Sequence, residues 1–533
     1  MNAKKGIAIT IVGAFILVTF YFIYYLFNCA LTIYNPFVSS VLVGAVIWFL
    51  LAVIDKSSDL DGTFAGAVIG IVIGVVLVGI LSIANSSAFN SGTYSSLFTY
   101  TEKEFEDFSA SLDNIPLLDK TSADNIAKRK FGELTDYVSQ YKVVDSEQII
   151  YKGKPVRLSI LEHTGFWRWK KNKTSPGYII VDMQTQKAEL VRTEKPIVYS
   201  ERTFFGKNIE RYIRSNYKTK LFFYPTAELN EEGEVYWIAP TYKRVVGLYG
   251  GRLIDGVIAV NAHTGEHKYY TDLNNIPEWI DNVYPSKYIM EQYDYKGKLS
   301  NGFWNTVFSK TGMTMTTDGY NYLPIGNDNW IYTGITSVSM ADESNIAFIL
   351  TNKRTLETYY YAISGAEEYS AMDAAEGEVQ HLGYTSTFPL LLNIDGVPTY
   401  VLSLKDKNEL VKMYAMIQVE DYRNVVVDSD LGKLERKYLS RVHGVEAEDT
   451  DFNSDEEVAV EVSTGKDKLS GRLHRVEGVL SARHLINISG DSYIVFRLEG
   501  VEDTFIIPVL GNLDLLFVET GASIEADAYK YEK

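Results

Sequence analysis

Gly177-Tyr-Ile-Ile-Val-Asp182-Met-Gln-Thr185 and Gly256-Val-Ile-Ala-Val-Asn261-Ala-His-Thr264 carry one pattern, 79 residues apart and aligned without a gap. In each, an apolar run ends on Asp or Asn, turns, and meets a second run, Lys187–Val191 or His267–Tyr270. Alternation at a period of two marks a strand with a buried face. Asp, Asn and Gly favour the bend, because a short side chain can hydrogen-bond its own backbone and Gly has no Cβ to clash. Val156 and Val235 keep the same offset at the head of the preceding strand. A third copy, Ala347-Phe-Ile-Leu-Thr-Asn352-Lys-Arg-Thr355, fills the same columns, with Tyr359–Tyr361 on the return. The repeat turns are therefore Asp182, Asn261 and Asn352.

A helix precedes each of the first two copies. Thr121 and Ser122 cap a helix expected to run to Gln140, with Ile126, Phe131, Leu134 and Val138 near one face. The second is expected over Arg202–Tyr217. The unit is a helix plus antiparallel strands, giving units at 98–195 and 196–275 and degenerate copies over 276–440. Within the last, Ala366–Glu376 reads as a helix, and Asp395-Gly396 between two apolar runs signals a hairpin. A helix followed by strands that close on "G-x-I-x-V-[DN]-x-x-T-G-E", as at Gly256–Glu266, resembles the PepSY domain. The resemblance covers about residues 120–270 and extends over 275–425; copy one has Gln186 where the motif has Gly. The stretches at 316–322 and 388–400 are similar to those of uncharacterised bacterial membrane proteins with this layout. PepSY-like domains imply a place outside the cytoplasm and a part in restraining peptidases or regulating the envelope.

The N-terminal region sets where these units sit. No charged side chain occurs from Gly6 to Ile54, nor from Gly62 to Thr101. A membrane helix needs about 20 apolar residues, so the first run holds two, broken at Asn28, Cys29, Asn35 and Pro36. Helices over Gly6–Phe27, Phe37–Ile54 and Thr63–Ala84 would make residues 1–86 an N-terminal transmembrane helical bundle of three spans. Gly66, Gly70, Gly74 and Gly79 suit close helix contact in lipid. Lys4, Lys5 and Lys56 flank the spans on one side, and the first Lys after them is Lys103. That bias places the N-terminus in the cytoplasm and the large C-terminal region outside, in a multi-pass protein of the cell membrane. Residues 87–97 read as a polar connector and Thr101–Leu112 as a short acidic helix.

The net charge of −17 repels nucleic acid at long range, which argues against it as a partner. A single Cys excludes internal disulfides and points to a bacterial envelope. Gly444–Glu457 is acidic and reads as a linker (441–457) to a last module of short strands over 458–533, among them Ser470–Val476 and His484–Ile488. Their rhythm resembles an OB-fold barrel. The expected fold class is thus a transmembrane helical bundle, an α+β region of repeated helix-plus-sheet units, and a C-terminal all-β barrel.

The sharpest candidate site is Thr164–Lys173, where Phe166, Trp167 and Trp169 interleave with Arg168, Lys170, Lys171 and Lys173. Aromatics with cations suit lipid headgroups or an anionic envelope polymer; an ordinary hairpin loop with solvated charges is the plainer alternative. Lys243 and Arg244, with Arg252, occupy the corresponding connection of copy two. His263 and His267 stand at metal-ligand spacing but across a strand turn, without a third ligand. Ser139-Gln-Tyr-Lys142 and Lys310-Thr311-Gly312 echo serine acyl enzymes, yet no S-x-N companion occurs. Arg472, His474, Arg475, Arg483 and His484 would line a nucleic-acid groove, in an acidic module. The expectation is a non-enzymatic protein without metal or cofactor. Its partners would be the lipid bilayer and an envelope protein such as a peptidase; binding of nucleic acid or of a replication or division partner by the barrel, or a serine hydrolase, are the alternatives.

Overall fold

The computed structural model describes residues 36–54, 60–105, 115–133, 135–338, 344–444, 474–488, 491–501, 503–508 and 522–530, with isolated positions elsewhere. It divides into two compact units, Met1–Ala447 and Glu448–Lys533. The helix expected over Gly6–Phe27, apart from the isolated positions Gly13 and Thr19, lies outside the described residues, as do residues 445–457 of the acidic linker and 458–473 of the last module.

Among the described residues of the first unit two apolar helices come first, α1 (Pro36–Ile54) and α2 (Leu60–Ala84). They cross where glycines remove the Cβ: one added at Gly74 would stand 2.7 Å from the Gly44 nitrogen, and one at Gly44 would stand 2.8 Å from Ile71 Cα. The expected three-span bundle is corrected here. Among the described residues one helical run, Val68–Ser95, is long and apolar enough to cross a membrane, and the apolar stretch Val38–Trp48 beside it is shorter. The chain is instead mostly sheet with a few helices, an α+β fold. The polar connector is also helical, α3 (Ser87–Ser95). Its polar side chains satisfy carbonyls at the end of α2: the Asn90 amide donates to Ala84 O at 2.6 Å, and the Tyr94 hydroxyl to Asn85 O at 2.9 Å.

Where an acidic helix was expected, Thr101–Lys103 forms strand β1, parallel to β17 (Thr358–Tyr361). Tyr100 stacks on Tyr360 at 4.9 Å and the Lys103 ammonium lies 3.7 Å from the Tyr359 ring centre, so aromatic contacts override the charge pattern.

One topology then occurs four times. Unit one has α4 (Lys120–Gly132), a short turn α5 (Thr135–Val138), and strands β2 (Tyr141–Val143), β3 (Glu147–Tyr151), β4 (Lys154–His163), β5 (Ser175–Asp182) and β6 (Ala188–Ile197). The order is β2-β4-β5-β6, with β3 also paired to β4. Two short strands thus share one long partner, which pairs with a second long strand and then the return. Unit two repeats this with β7 (Leu221–Phe222), β8 (Thr226–Leu229), β9 (Val235–Val246), β10 (Gly250–Asn261) and β11 (His267–Tyr270). Unit three uses β12 (Thr314–Thr316), β13 (Asn321–Ile325), β14 (Asp328–Ser337), β16 (Ala347–Asn352) and β17. A small pair, β15 (Ser344–Asn345) with β18 (Gly365–Ala366), lies apart from that sheet. The fourth runs through β19 (Thr385–Ser386), β20 (Leu390–Ile394), β21 (Val397–Lys405), β22 (Val411–Gln418) and β23 (Val425–Asp428). The stretch 276–440 therefore holds two whole units.

Helices precede the later sheets: α7 (Ile209–Asn216), α8 (Ser286–Leu299) and α10 (Glu368–Glu378), with α11 (Leu431–Val442) closing the fourth. Several differ from expectation in extent. Asp119, not Thr121, caps α4, its carboxylate accepting the Ser122 N–H at 2.9 Å, and α4 ends at Gly132 rather than Gln140. Helix α7 starts only after Asn208, whose side chain accepts the Arg211 N–H at 3.0 Å; residues before it turn through Phe205 at φ 56°.

The middle sheets are buried on both faces. Val235, Trp237 and Ala239 of β9 join Ile149, Val156 and Leu158 of sheet one in one core, together with Ile209 and Ile213 of α7. Ile238 of β9 and Val257 of β10 face the other way, toward Tyr288 and Ile289 of α8 and Ile331 of sheet three. Phe348 and Leu350 of β16 pack on the fourth sheet while Ala347 and Ile349 do not. Burial on both sides explains runs such as Ala347–Leu350 that are apolar throughout rather than alternating.

The second compact unit is a closed barrel of β24 (His474–Ile488), β25 (Asp491–Leu498), β26 (Thr504–Pro508) and β27 (Ser523–Lys530). Strands expected separately at Ser470–Val476 and His484–Ile488 belong, from His474 on, to one long strand. It shifts register at Leu480–Ala482, turning from β27 to β25.

Candidate functional site

The aromatic–basic stretch forms a short helix, α6 (Phe166–Lys171), in the connection between β4 and β5. Its aromatics divide in two. Trp169 is buried, its ring centre 5.4 Å from Phe204 and 6.0 Å from Phe205, and Phe166 meets Phe204 at 5.2 Å. Trp167 is 75% exposed, with the Lys170 ammonium 5.4 Å from its ring centre. Arg168, Lys170, Lys171 and Lys173 are all exposed. The result is a basic knob with one free indole, standing on an aromatic base that fixes its direction.

Beside the knob runs a cleft of about 490 Å³ lined by Lys142, His163, Glu201, Arg202, Phe205 and Arg211, among others. Its floor is tied down by Glu162, at the end of β4. That carboxylate is fully buried and accepts the Ser200 hydroxyl at 3.0 Å, the Glu201 N–H at 3.1 Å and the Arg202 N–H at 3.0 Å. Burial pushes its pKa up to about 7 against the pull of these donors. Glu201 is raised to about 7, first by burial and then by the charge of Glu147. Burial lowers His163, whose Nε2 lies 2.6 Å from Asn172 O. Two carboxyls that titrate near neutrality therefore border a basic knob.

Lys243 and Arg244 are not part of this knob. They sit on β9 toward the hairpin tip that packs on Asn85 and Tyr94, and Arg244 pairs in register with Arg252 of β10. Arg252 is ion-paired with Glu291 of α8.

Asp182, Asn261 and Asn352 occupy equivalent turns. Each side-chain oxygen accepts two backbone N–H groups, two and three residues on: Gln184 and Thr185, His263 and Thr264, Arg354 and Thr355, at 2.8–3.1 Å. The residue after each Thr is left-handed, Gln186 at φ 59°, Gly265 at 79° and Leu356 at 65°. These turns build the units; their polar atoms are used internally.

A second polar concentration joins units one, two and three. Glu228 on β8, fully buried, accepts the N–H groups of Asp281 at 2.7 Å and Asn282 at 2.9 Å. The Asp281 carboxylate accepts the Ile150 N–H at 2.6 Å. Lys353, 4% exposed, donates to the Asn282 side-chain oxygen and lies 4.5 Å from the Tyr322 ring centre. Burial raises Glu228 to about 7 and lowers Lys353, while Glu147, Glu228 and Asp281 favour the lysine's charge. Glu162 and Glu228 do the same work one unit apart, each clamping the chain that leads into the next unit.

His263 Nε2 lies 3.2 Å from the Val235 N–H, and His267 Nδ1 lies 2.8 Å from the Tyr217 hydroxyl. Among the described residues no group of three or more His, Cys, Asp or Glu is placed to hold a metal. Ser139 stands in a turn after α5 and Lys142 on β2, so they do not share the helical turn that serine acyl chemistry needs. Lys310–Gly312 is a turn, and Arg483 of the barrel donates to Leu515 O at 2.5 Å. Glu162, Phe204 and Phe205 were missed in the sequence; only the Phe204-Phe205 pair ahead of the helix hinted at them.

No protein-family model matches this chain, and no curated protein does. Solved structures with partial similarity include a variant of the Synechocystis apocarotenoid oxygenase, at 8% identity over 55% of this chain and 62% of that one, with a TM-score of 0.16. A putative glycoside hydrolase from Bacteroides ovatus aligns at 12% identity over 73% of this chain and 93% of that one, with a TM-score of 0.16. This chain spans about half the length of several oxygenase structures it aligns with.

Proposed function

We propose that this chain is a membrane-anchored binding protein of the bacterial envelope, non-enzymatic, in which PepSY-like units present a basic knob and cleft to an anionic partner such as a segment of an envelope peptidase. The observation that carries this is the knob itself: Trp167 exposed among four cations, on a protein whose net charge is −17. A local patch opposite in sign to the whole molecule steers and selects partners. An exposed indole beside it supplies the kind of anchor on which binding energy concentrates. The body lies outside the cytoplasm, since Lys56 precedes α2 and the first Lys beyond its far end is Lys103.

A photo-crosslinking residue at Trp167 in the full chain, expressed in intact bacterial cells, tests this. One discrete adduct is expected, falling at least fivefold when Lys170→Glu and Lys171→Glu are combined. A diffuse set of adducts, or capture unaffected by charge reversal, would refute it.

A further inference from the structure

The apolar surface of α2 does not stop where the helix ends. Along α2, Val72, Val76, Ile80 and Ile83 are half or more exposed, an apolar sheath suited to lipid. At its end the hairpin tip between β9 and β10 closes on the chain so tightly that a Cβ at Gly250 would stand 2.2 Å from Asn85 O. The Tyr94 hydroxyl accepts the Gly251 N–H at 3.1 Å and its ring meets Tyr295 of α8 at 4.8 Å. The repeat units are thus seated directly on the end of the apolar helix.

Around that seat lies a second group of exposed apolar side chains. The short helix α9 (Phe303–Phe308) packs against α3 and α8. Phe303 turns inward, toward Tyr94 and Leu299, while Trp304, Val307 and Phe308 are 67%, 51% and 78% exposed. The rings of Trp304 and Phe308 stack at 5.8 Å, one helical turn apart. Phe89 of α3 is 72% exposed and Leu248 at the hairpin tip 43%. Lys243 and Lys310 on the flanking segments are exposed as well. Aromatic and aliphatic side chains with cations at their rim are the composition of a lipid–water boundary, where an indole keeps its body apolar and its N–H wet.

We propose that Phe89, Leu248, Trp304, Val307 and Phe308 insert into the headgroup zone of the bilayer beside α2, so that the repeat units lie against the membrane instead of swinging on one helix. The occupant is lipid because the patch is continuous with the apolar helix. The inference rests on the membrane anchoring proposed above, and the experiment separates the two.

The full chain carrying Cys29→Ala and Phe308→Cys is labelled with an environment-sensitive fluorophore and reconstituted into phosphatidylcholine–phosphatidylglycerol vesicles. Spin labels are placed on the lipids near the headgroup or deep in the acyl chain. At least twofold stronger quenching by the shallow spin label is expected at 308 than at a control label on Tyr422→Cys, in the turn of the fourth sheet. Protein that washes off the vesicles in alkaline carbonate would end the anchoring itself. Protein that is retained but quenched no more at 308 than at 422 would overturn this inference alone, as would crosslinks showing residues 1–35 covering the patch. A Trp304→Ser, Phe308→Ser pair should leave retention intact and halve the quenching of a label at Leu248→Cys; unchanged quenching there also counts against insertion.

Discussion

Glu162→Gln tests how the knob and cleft are held. The wild-type carboxyl takes three hydrogen bonds from the chain at 200–202, the segment that leads to Phe204 and Phe205 under the knob. Its pKa rises from 4.5 to about 7 on folding. At about 1.4 kcal/mol per tenfold change in proton affinity, that is about 3 kcal/mol of folding free energy tied to pH. The sign follows from proton counting. Between pH 4.5 and 7 the folded state holds a proton that the unfolded state has released, so this contribution is complete below 4.5 and is lost as pH rises through 7. Gln keeps one acceptor and cannot ionise. It therefore loses about 1 kcal/mol of hydrogen bonding at low pH but removes the decline. The assay is amide exchange at Glu201 and Arg202 in the full chain between pH 5 and 8, corrected for intrinsic rates. Wild-type protection should fall more steeply than the variant's across that range, by up to about two further orders of magnitude, because the share from Glu201, also raised to about 7, declines in both proteins. Parallel curves for the two proteins would refute the reasoning.

Two further substitutions probe the repeat and its junctions. Gly265→Ala puts a Cβ at φ 79° and 2.7 Å from the Tyr199 ring, and should cost about 2 kcal/mol or more; Gln186→Gly, at φ 59° in the equivalent turn, should be stabilising by about 0.5 kcal/mol. Denaturant midpoints that move in the same direction for both would deny that the turns are equivalent. Lys353→Met removes the cation beside the buried Glu228 and Asp281 and should cost about 3–5 kcal/mol, because it leaves those carboxyls unopposed. A thermal midpoint unchanged at pH 7 would show that those carboxyls are already neutral.

Residues of like kind in like columns are visible without a structure. Asp182, Asn261 and Asn352 stand at the ends of apolar runs because a side-chain oxygen there accepts two nearby N–H groups, a local need met within three residues. That is why the turns and the long strands could be read from the chain. The fourth unit, within the stretch expected to hold degenerate copies, lacks the turn signature: its turn over Val419–Asn424 uses Asp421 differently, the side chain accepting from Arg423 and pairing with its guanidinium. Only the strand order identifies it.

Composition marked the N-terminal region as apolar, but a count of apolar residues does not say how they divide into helices. The first expected span lies outside the described residues, and α2 runs on with α3 through residues that read as a connector. The aromatic–basic stretch was likewise legible as a type of surface and not as a place. Packing put Trp169 inside and Trp167 outside, and moved Lys243 and Arg244 away to the foot of the apolar helix. The sequence alone determined short-range matters: turn chemistry, strand period and the sign of local charge. Which buried carboxyl clamps which linker, and which aromatics share a surface, depends on segments 40 to 200 residues apart meeting. That was decided only by the tertiary structure, because burial is a property of neighbours and not of neighbouring sequence.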